Sequence, residues 1–344
     1  MRPQDDEKSM PSVKSIKQRI KSVKNTRQIT KAMEVVSATK MRKSQQFAIE
    51  GRPYALAAME MLGNVLARTR YRPPLLRKRE IKQAALVVVT SDKGLAGAFN
   101  SNVLRKAEKW ILENKQNYPV DLVTVGRKSR DYFQNRKENV VKEFIGFGDF
   151  IEPNQTKPLS DFLTRGFLKK QWDLVEIIYT NFRSTLKQEV KMVQLFPVDL
   201  EKIKDTIVGI TPEYGRFAVN SENPKSQNSP PRRIPGLRPS EANTFASDPN
   251  SKQIQNYLYE YKFEPSPKAI LNSLIPHLLE MQIFHMILES NASEHSARMV
   301  AMKNASENAA DIIQELTLQY NKSRQAGITR ELTEITAGKE ALEV

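Results

Sequence analysis

The chain has 344 residues, a formal net charge of +15 at pH 7 and no cysteine. This length allows one or two domains with a sizeable core, and the missing cysteine excludes disulfides, thiolate catalysis and cysteine-ligated zinc. The strong positive charge indicates an anionic partner, which could be nucleic acid, a membrane surface or an acidic protein.

The N-terminal stretch "MRPQDDEKSMPS" has no apolar core of the kind that a signal peptide needs, and its acidic residues argue against a transit peptide. The whole chain lacks 18 uninterrupted apolar residues, so we predict no membrane span. The only histidines are His277, His285 and His295, all within one helical pattern. A metal site needs three or four converging ligands, so we expect packing or surface roles for them, no metal site and no cofactor.

The first predicted element is a long amphipathic helix. Neither Gly nor Pro occurs from Val13 to Ile49, and apolar residues recur there every three or four positions. Gly51 and Pro53 predict a kink or a short break, after which the pattern continues toward Thr69.

Charge on this helix leaves three interpretations open. Residues 11–50 carry ten basic residues against two acidic ones, which is typical of a solvated face or of a surface that meets an acidic partner. Contact with duplex phosphate is the third. Phe47 is the single aromatic residue in this stretch, so it offers no stacking platform for single strands.

The middle of the chain alternates strands with helices. Four apolar runs predict strands at Ala84–Val89, Val120–Gly126, Leu174–Phe182 and Val190–Phe196. Helical patterns follow at 103–115 and 159–170. This order predicts a three-layer, Rossmann-like α/β domain with a mostly parallel sheet.

The loop "TSDKGLAGAFNSNV" after the first strand raises the question of a phosphate site. Only two residues separate Gly94 from Gly97, and Ala98 and Phe99 stand where a P-loop has Lys and Ser or Thr. One glycine of the dinucleotide fingerprint is also missing. The helix start after Asn100 could attract an anion, but a structural strand-to-helix turn is the favoured interpretation.

Residues 201–251 are rich in Pro, Ser and Asn, which predicts a flexible surface insertion. The alternating stretch Tyr257–Phe263 then predicts a half-exposed strand.

The final element is predicted as a helix from about Lys268 to Ala337, with a kink at Pro276. Its length would be about 105 Å at 1.5 Å per residue, which no ordinary globular core spans. A near-heptad seam predicts pairing with another helix; its residues are Met302, Ala305, Ala309, Ile312 and Leu316. Residues 301–344 carry seven acidic residues against five basic ones, so an antiparallel pair with the basic N-terminal helix is expected.

Three stretches identify a family. They are "IKQRIKSVKNTRQITKAMEVVSATKMRKSQQ", "TSDKGLAGAFNSNV" and "ASEHSARMVAMKNASENAADIIQELTLQYNKSRQAGITRELTEITAG". The chain resembles the gamma subunit of F-type ATP synthases, except at the extreme N-terminus and over residues 201–251. The resemblance implies domains at 1–80 (N-terminal coiled-coil helix), 81–265 (α/β domain) and 266–344 (C-terminal coiled-coil helix).

The resemblance implies a non-catalytic rotor shaft that couples rotation of the c-ring to the catalytic beta subunits. Its implied partners are alpha, beta, epsilon and the c-ring, with no nucleic acid. The implied location is the cytoplasmic face of a bacterial plasma membrane, or else an organellar inner or thylakoid membrane. The cysteine switch of chloroplast forms is absent because the chain has no cysteine.

Residue roles also follow from the resemblance alone. "KAMEVV" matches the segment that faces an acidic lever on beta, which implies contacts at Lys31 and Met33. "RQAGIT" matches the segment held inside the ring, and "KFEPSP" lies where the family approaches the c-ring. The residues implied there are Arg324, Gln325 and Thr329, and, more weakly, Phe263 and Glu264.

Two other functions remain as alternatives. One is a structural coiled-coil adaptor with the same fold and no rotary work. The other is a nucleotide-using enzyme built on the α/β domain.

Overall fold

The computed structural model describes residues 12–148, 151–199 and 264–342. Its elements in chain order are α1 (Val13–Ala67), a 3-10 turn (Pro74–Leu76), β1 (Ala84–Val89), α2 (Phe99–Asn114), β2 (Val120–Val125), α3 (Arg127–Asn135), β3 (Val140–Phe144), α4 (Pro153–Leu168), β4 (Leu174–Phe182), β5 (Gln188–Phe196) and α5 (Pro267–Leu342).

The five described strands form one sheet in the order β3-β2-β1-β4-β5. β1 pairs in parallel with β2 and β4, β2 pairs in parallel with β3, and β5 runs antiparallel to β4 at the edge. Every residue of β1 is buried, as expected for a central strand covered on both faces.

Helices cover both faces of the sheet. On one face, Leu86 and Leu122 pack against α2 and α3. On the other face, Val87 and Ile177 pack against α4 and against parts of α1 and α5. The three-layer α/β arrangement with a mostly parallel sheet is therefore confirmed.

The terminal helices run antiparallel, which confirms the predicted coiled coil. The Tyr54 hydroxyl lies 3.0 Å from Nε2 of His277, while Met41, farther back in α1, packs with Ala292, farther forward in α5. Seam residues on α5 recur at spacings of four and three, as in a heptad. They are Met302, Ser306, Ala309, Ile313 and Leu316. Two predicted seam residues lie outside it: Ala305 is only half-buried, and Ile312 is 43% exposed.

The four predicted strands are confirmed within two residues of their observed ends. Two further elements, α3 and β3, were not predicted from the sequence. α3 buries only Ser129 and Phe133, and β3 is a largely exposed edge strand. The predicted insertion at 201–251 and the predicted strand at 257–263 lie outside the described residues.

The break considered at Gly51 and Pro53 does not occur, since α1 continues through both residues. Gly51 has a packing reason instead. A Cβ added there would lie 2.8 Å from Cε1 of His285 on α5, and the His285 ring is itself buried. The absent side chain thus lets the two helices approach closely at this point.

We expect Gly51→Ala to lower the stability of the chain. Removing a helical glycine gains about 1 kcal/mol, but a methyl group pressed into a packed interface costs about 1–3 kcal/mol. The matched control is Gly63→Ala, also within α1, where nothing lies within 4 Å of the added Cβ. Denaturant unfolding of both variants should show the control stabilised and Gly51→Ala destabilised, and equal stabilisation of both would refute the contact.

Candidate partner-contact surface

The coil formed by α1 and α5 is exposed over much of its length, and α5 is the longer partner. Ile16 is the first buried residue of α1, and Leu316 is the last buried residue of α5 in the described chain. The helix continues from Leu316 to Leu342, which adds about 39 Å at 1.5 Å per residue. Most of this tip is therefore a surface that the described part of the chain does not cover.

A cleft of about 470 Å³ opens between the helices where the seam of α1 turns polar. The α1 positions that continue the buried heptad spacing here are Arg27, Thr30 and Glu34, whereas farther along α1 the spacing reaches the buried Met41. Polar residues do not interdigitate as apolar ones do, so the helices leave a gap at this level.

The cleft is basic. Four cationic residues line it against two carboxylates, Glu34 and Glu307, which leaves a net charge of +2. Lys31 is bound to Glu34 at 3.0 Å. Lys24 and Arg27 make no ion pair within the described part of the chain. The cleft can therefore attract an acidic group.

Lys31 lines this cleft and Met33 lies beside it, both on the first half of α1. The Lys31 side chain is exposed, and Met33 is half-buried next to the seam. A residue in this position can contact a partner from the side of the coil while still packing on α5.

Arg324, Gln325 and Thr329 all lie on the uncovered tip of α5, and all three are exposed. The Thr329 hydroxyl donates to the Gln325 carbonyl at 3.0 Å, a bond within the helix that leaves their outer surfaces available.

The tip also carries an apolar stripe that the sequence reasoning missed. Ile328, Leu332 and Ile335 are 49%, 60% and 68% exposed. Their i, i+4, i+7 spacing places them on one helical face, and that spacing is a signal that could have found them. Exposed apolar residues on one face mark a surface that another protein covers.

Glu264 lies just before α5 and is exposed, and Ser266 caps the helix by accepting from the Ala269 amide at 3.2 Å. Phe263 lies outside the described residues.

The glycine loop after β1 packs against α5. Leu95 and Gly97 have positive φ, and the guanidinium of Arg298 donates to the Gly94 carbonyl at 3.1 Å. Arg298 also binds Glu294 at 2.6 Å, and both side chains are nearly buried. The carbonyls of the loop are thus directed at α5, which gives the loop a structural role in holding that helix.

α5 also occupies the place where doubly wound sheets bind ligands. In such folds the crevice lies at the carboxyl ends of the strands where the strand order reverses, here between β1 and β4. Ser293 and Ser296 of α5 donate to the carbonyls of Thr180 and Thr185 beside this edge. The helix therefore fills the crevice with its own side chains.

Among the described helices, none is long and apolar enough to cross a membrane. Across the same residues there is no group of three or more His, Asp or Glu that could hold a metal ion.

Comparison with known proteins gives consistent matches. A family model described as "ATP synthase" matches residues 12–342. The ATP synthase gamma chain of Pelotomaculum thermopropionicum is 38% identical over 335 residues, covering 97% of this chain and 100% of the relative. The gamma chain of an Anaeromyxobacter species is 37% identical, with the same two coverages.

Solved structures share the fold. A chain in the Euglena gracilis mitochondrial ATP synthase, in a structure of its OSCP, F1 and c-ring, matches with a TM-score of 0.58 and 17% identity, covering 96% of this chain and 94% of that chain. A chain in the central stalk and c-ring structure of the Tetrahymena thermophila mitochondrial enzyme matches with a TM-score of 0.52 and 21% identity, covering 81% and 99%. Since the family model spans nearly the whole chain and the bacterial relatives match along their full length, the chain belongs to the ATP synthase gamma-chain family.

Proposed function

We propose that this chain is the central rotor shaft of an F-type ATP synthase, which couples rotation of a c-ring to conformational change in the catalytic beta subunits. The observation that carries the proposal is the two-helix coil, whose longer helix α5 extends beyond its partner with an uncovered apolar stripe. Both the overhang of α5 and its exposed stripe fit a shaft that other subunits enclose. The family to which the chain belongs supplies the identity of those subunits.

The physical basis of coupling is asymmetry. Three identical beta subunits differ at one instant only if something without threefold symmetry contacts them, and a two-helix coil has no threefold axis. Each angular position gives one beta subunit different contacts. Those contacts shift the population of that subunit between open and closed states, by no more than their differential free energy.

Contacts are assigned along the coil as follows. The basic cleft and the flanking Lys31 and Met33 meet an acidic lever of beta. Arg324, Gln325 and Thr329 on the tip are held inside the ring of alpha and beta subunits. At the other end of α5, Phe263 and Glu264 approach the c-ring, and epsilon binds the α/β domain.

The chain itself performs no catalysis in this proposal, and it divides into an N-terminal coil helix (1–80), an α/β domain (81–265) and a C-terminal coil helix (266–344). It associates with the membrane through the c-ring, at the cytoplasmic face if the source is bacterial.

Reconstitution tests the proposal directly. Mixed with the alpha and beta subunits of a bacterial relative, the chain should assemble into an active ATPase, whereas the purified chain alone should neither bind ATP at micromolar concentration nor hydrolyse it. The chain alone should not bind ATP because the glycine loop lacks the P-loop pattern and its carbonyls accept hydrogen bonds from Arg298. An adaptor would assemble without restoring turnover, and calorimetric ATP binding by the chain alone would favour an enzyme.

Met33→Lys should impair coupling more than assembly. Met33 is only half-buried, so a lysine can extend to solvent and the coil should still form. The ammonium of the new lysine is attracted to an acidic lever in some angular positions of the shaft only. An attraction of about 1–3 kcal/mol lowers the free energy of those positions relative to the others. ATPase rate and proton pumping, measured in the same membranes, should give fewer protons pumped per ATP.

Met33→Leu, which keeps the volume and adds no charge, is the matched control and should couple normally. If Met33→Lys leaves both rates at the wild-type values, Met33 does not face an acidic partner.

Replacing the apolar stripe tests the tip. Ile328→Ser, Leu332→Ser and Ile335→Ser together should leave the unfolding free energy of the isolated chain nearly unchanged, because the three side chains are exposed in it. Assembly with alpha and beta should weaken severalfold, since each side chain would lose the burial that a surrounding ring provides. Leu318→Ser is the comparison on the same helix, because Leu318 is as exposed as the stripe but lies closer to Leu316, where the buried seam ends. Unchanged assembly of the triple variant would show that no partner covers the stripe.

A further inference from the structure

A polar stripe lies on the buried side of α5 where the helix passes between α1 and the sheet. Its residues follow one another at spacings of three and four, so they share one helical face. They are Gln282, His285, Glu289, Ser293 and Ser296, each at most 4% exposed. Polar groups so deeply buried normally have hydrogen-bond partners, and unmet ones call for an explanation.

Ser293 and Ser296 have such partners, but the other three residues do not have a full set. The side-chain nitrogens of Gln282 and His285, the oxygen of Gln282 and one oxygen of Glu289 make no hydrogen bond. The other Glu289 oxygen accepts from Nδ2 of Asn181 on β4 at 3.2 Å. An ionised carboxylate at this depth would need several donors, and the donors beside this one are the Asn181 amide and the Tyr179 hydroxyl.

A cavity adjoins the Glu289 side chain. It lies between α1 and α5, has a volume of about 10 Å³ and is lined by Gln45, Ala48, Ile49, Phe182, Leu288, Glu289 and Ala292. That volume is near the lower limit for one water molecule. Its wall is almost wholly apolar, so the cavity does not offer a water molecule that could solvate a carboxylate.

We propose that Glu289 keeps its proton in the folded protein, so that the carboxyl is a proton-binding site at the junction of the shaft and the sheet. Oε2 then accepts from Asn181 as a carbonyl oxygen, and Oε1 carries the proton. A neutral carboxyl costs less to bury with so few donors than a carboxylate does.

The charges around Glu289 agree with this state. Burial raises the pKa of Glu289 to about 8, and Lys191 on β5, the Tyr179 hydroxyl on β4 and Arg183 just after β4 offset that rise only in part. On α5, one turn before Glu289, burial lowers the pKa of His285 to about 4, so this ring is neutral and supplies no positive charge. The α1 residues that line the cavity, Gln45, Ala48 and Ile49, carry no charge.

The consequence is a stability that falls as pH rises. Between the unfolded pKa of 4.5 and the folded value of about 8, the folded chain holds one proton more than the unfolded chain at this group. Each pH unit in that window therefore raises the ratio of unfolded to folded chain up to tenfold. Below pH 4.5 Glu289 causes no loss of folding stability, and above about pH 8 the loss no longer grows with pH.

The direct test is a titration of the full chain labelled with ¹³C in its Glu carboxyls. Expected is a Glu289 carboxyl signal, assigned through Glu289→Gln, with a midpoint near pH 8. A midpoint near the ordinary glutamate value would overturn the proposal.

An equilibrium measurement makes the test independent of assignment. Unfolding of the wild type should become up to tenfold more favourable per pH unit from pH 5 to 8 relative to Glu289→Gln, which keeps the volume and has no proton to lose. Glu307→Gln on the exposed face of the same helix is the matched control and should follow the wild type. Identical pH dependence in wild type and Glu289→Gln would contradict proton binding at this site.

Discussion

The length of α5 is the constraint on which the rest of the structure depends. A helix of 76 residues is about 114 Å long, and helices in water are stabilised mainly by packing an apolar face rather than by propensity. The chain meets this demand in two ways. The α/β domain covers one part of α5, and α1 covers the heptad seam as far as Leu316. Among the described residues, α5 has no buried side chain beyond Leu316, so partners that enclose this part of the helix would supply the packing it lacks.

The α/β domain acts as a clamp on α5. The helix packs over one sheet face with Leu271, Leu279 and Ile283, and then leaves past the carboxyl edge of β1 and β4. At that edge the contacts change from apolar to hydrogen-bonded, through Ser293 and Arg298. Hydrogen bonds fix direction more strictly than apolar packing does, because they weaken steeply when misaligned. Twisting force applied to the domain is thereby transmitted to the coil at a point where the helix cannot easily rotate against the sheet.

Much of this fold was predictable, because buried strands and long amphipathic helices leave strong patterns. The run Ala84–Val89 is apolar throughout since both its faces are covered, and the pattern gave its ends correctly. β3 was missed because the short, exposed edge strand Val140–Phe144 carries Lys142 and Glu143 side by side and shows no alternation of apolar and polar residues. α3 was missed because Ser129 and Phe133 alone are too few to show periodicity. The break predicted at Gly51 was wrong for a different reason. Its role depends on His285, distant in sequence, and no local pattern reveals that a glycine is making room for a ring.

The proposed contact residues follow only from family resemblance, and the structure explains why. Lys31 and Met33 look like ordinary members of a basic helix, and only the polar seam at Arg27 and Glu34 marks this level of the coil as open. The apolar packing between α1 and α5 is therefore uneven. Met41 packs with Ala292, the α1 side of the seam turns polar at the cleft, and Ile16 and Leu316 are buried beyond it. A shaft packed evenly along its length would present the same stiffness to every subunit around it. In the proposed contact, a partner fills the gap at this open, basic level, and the angular dependence of the contact free energy is concentrated there.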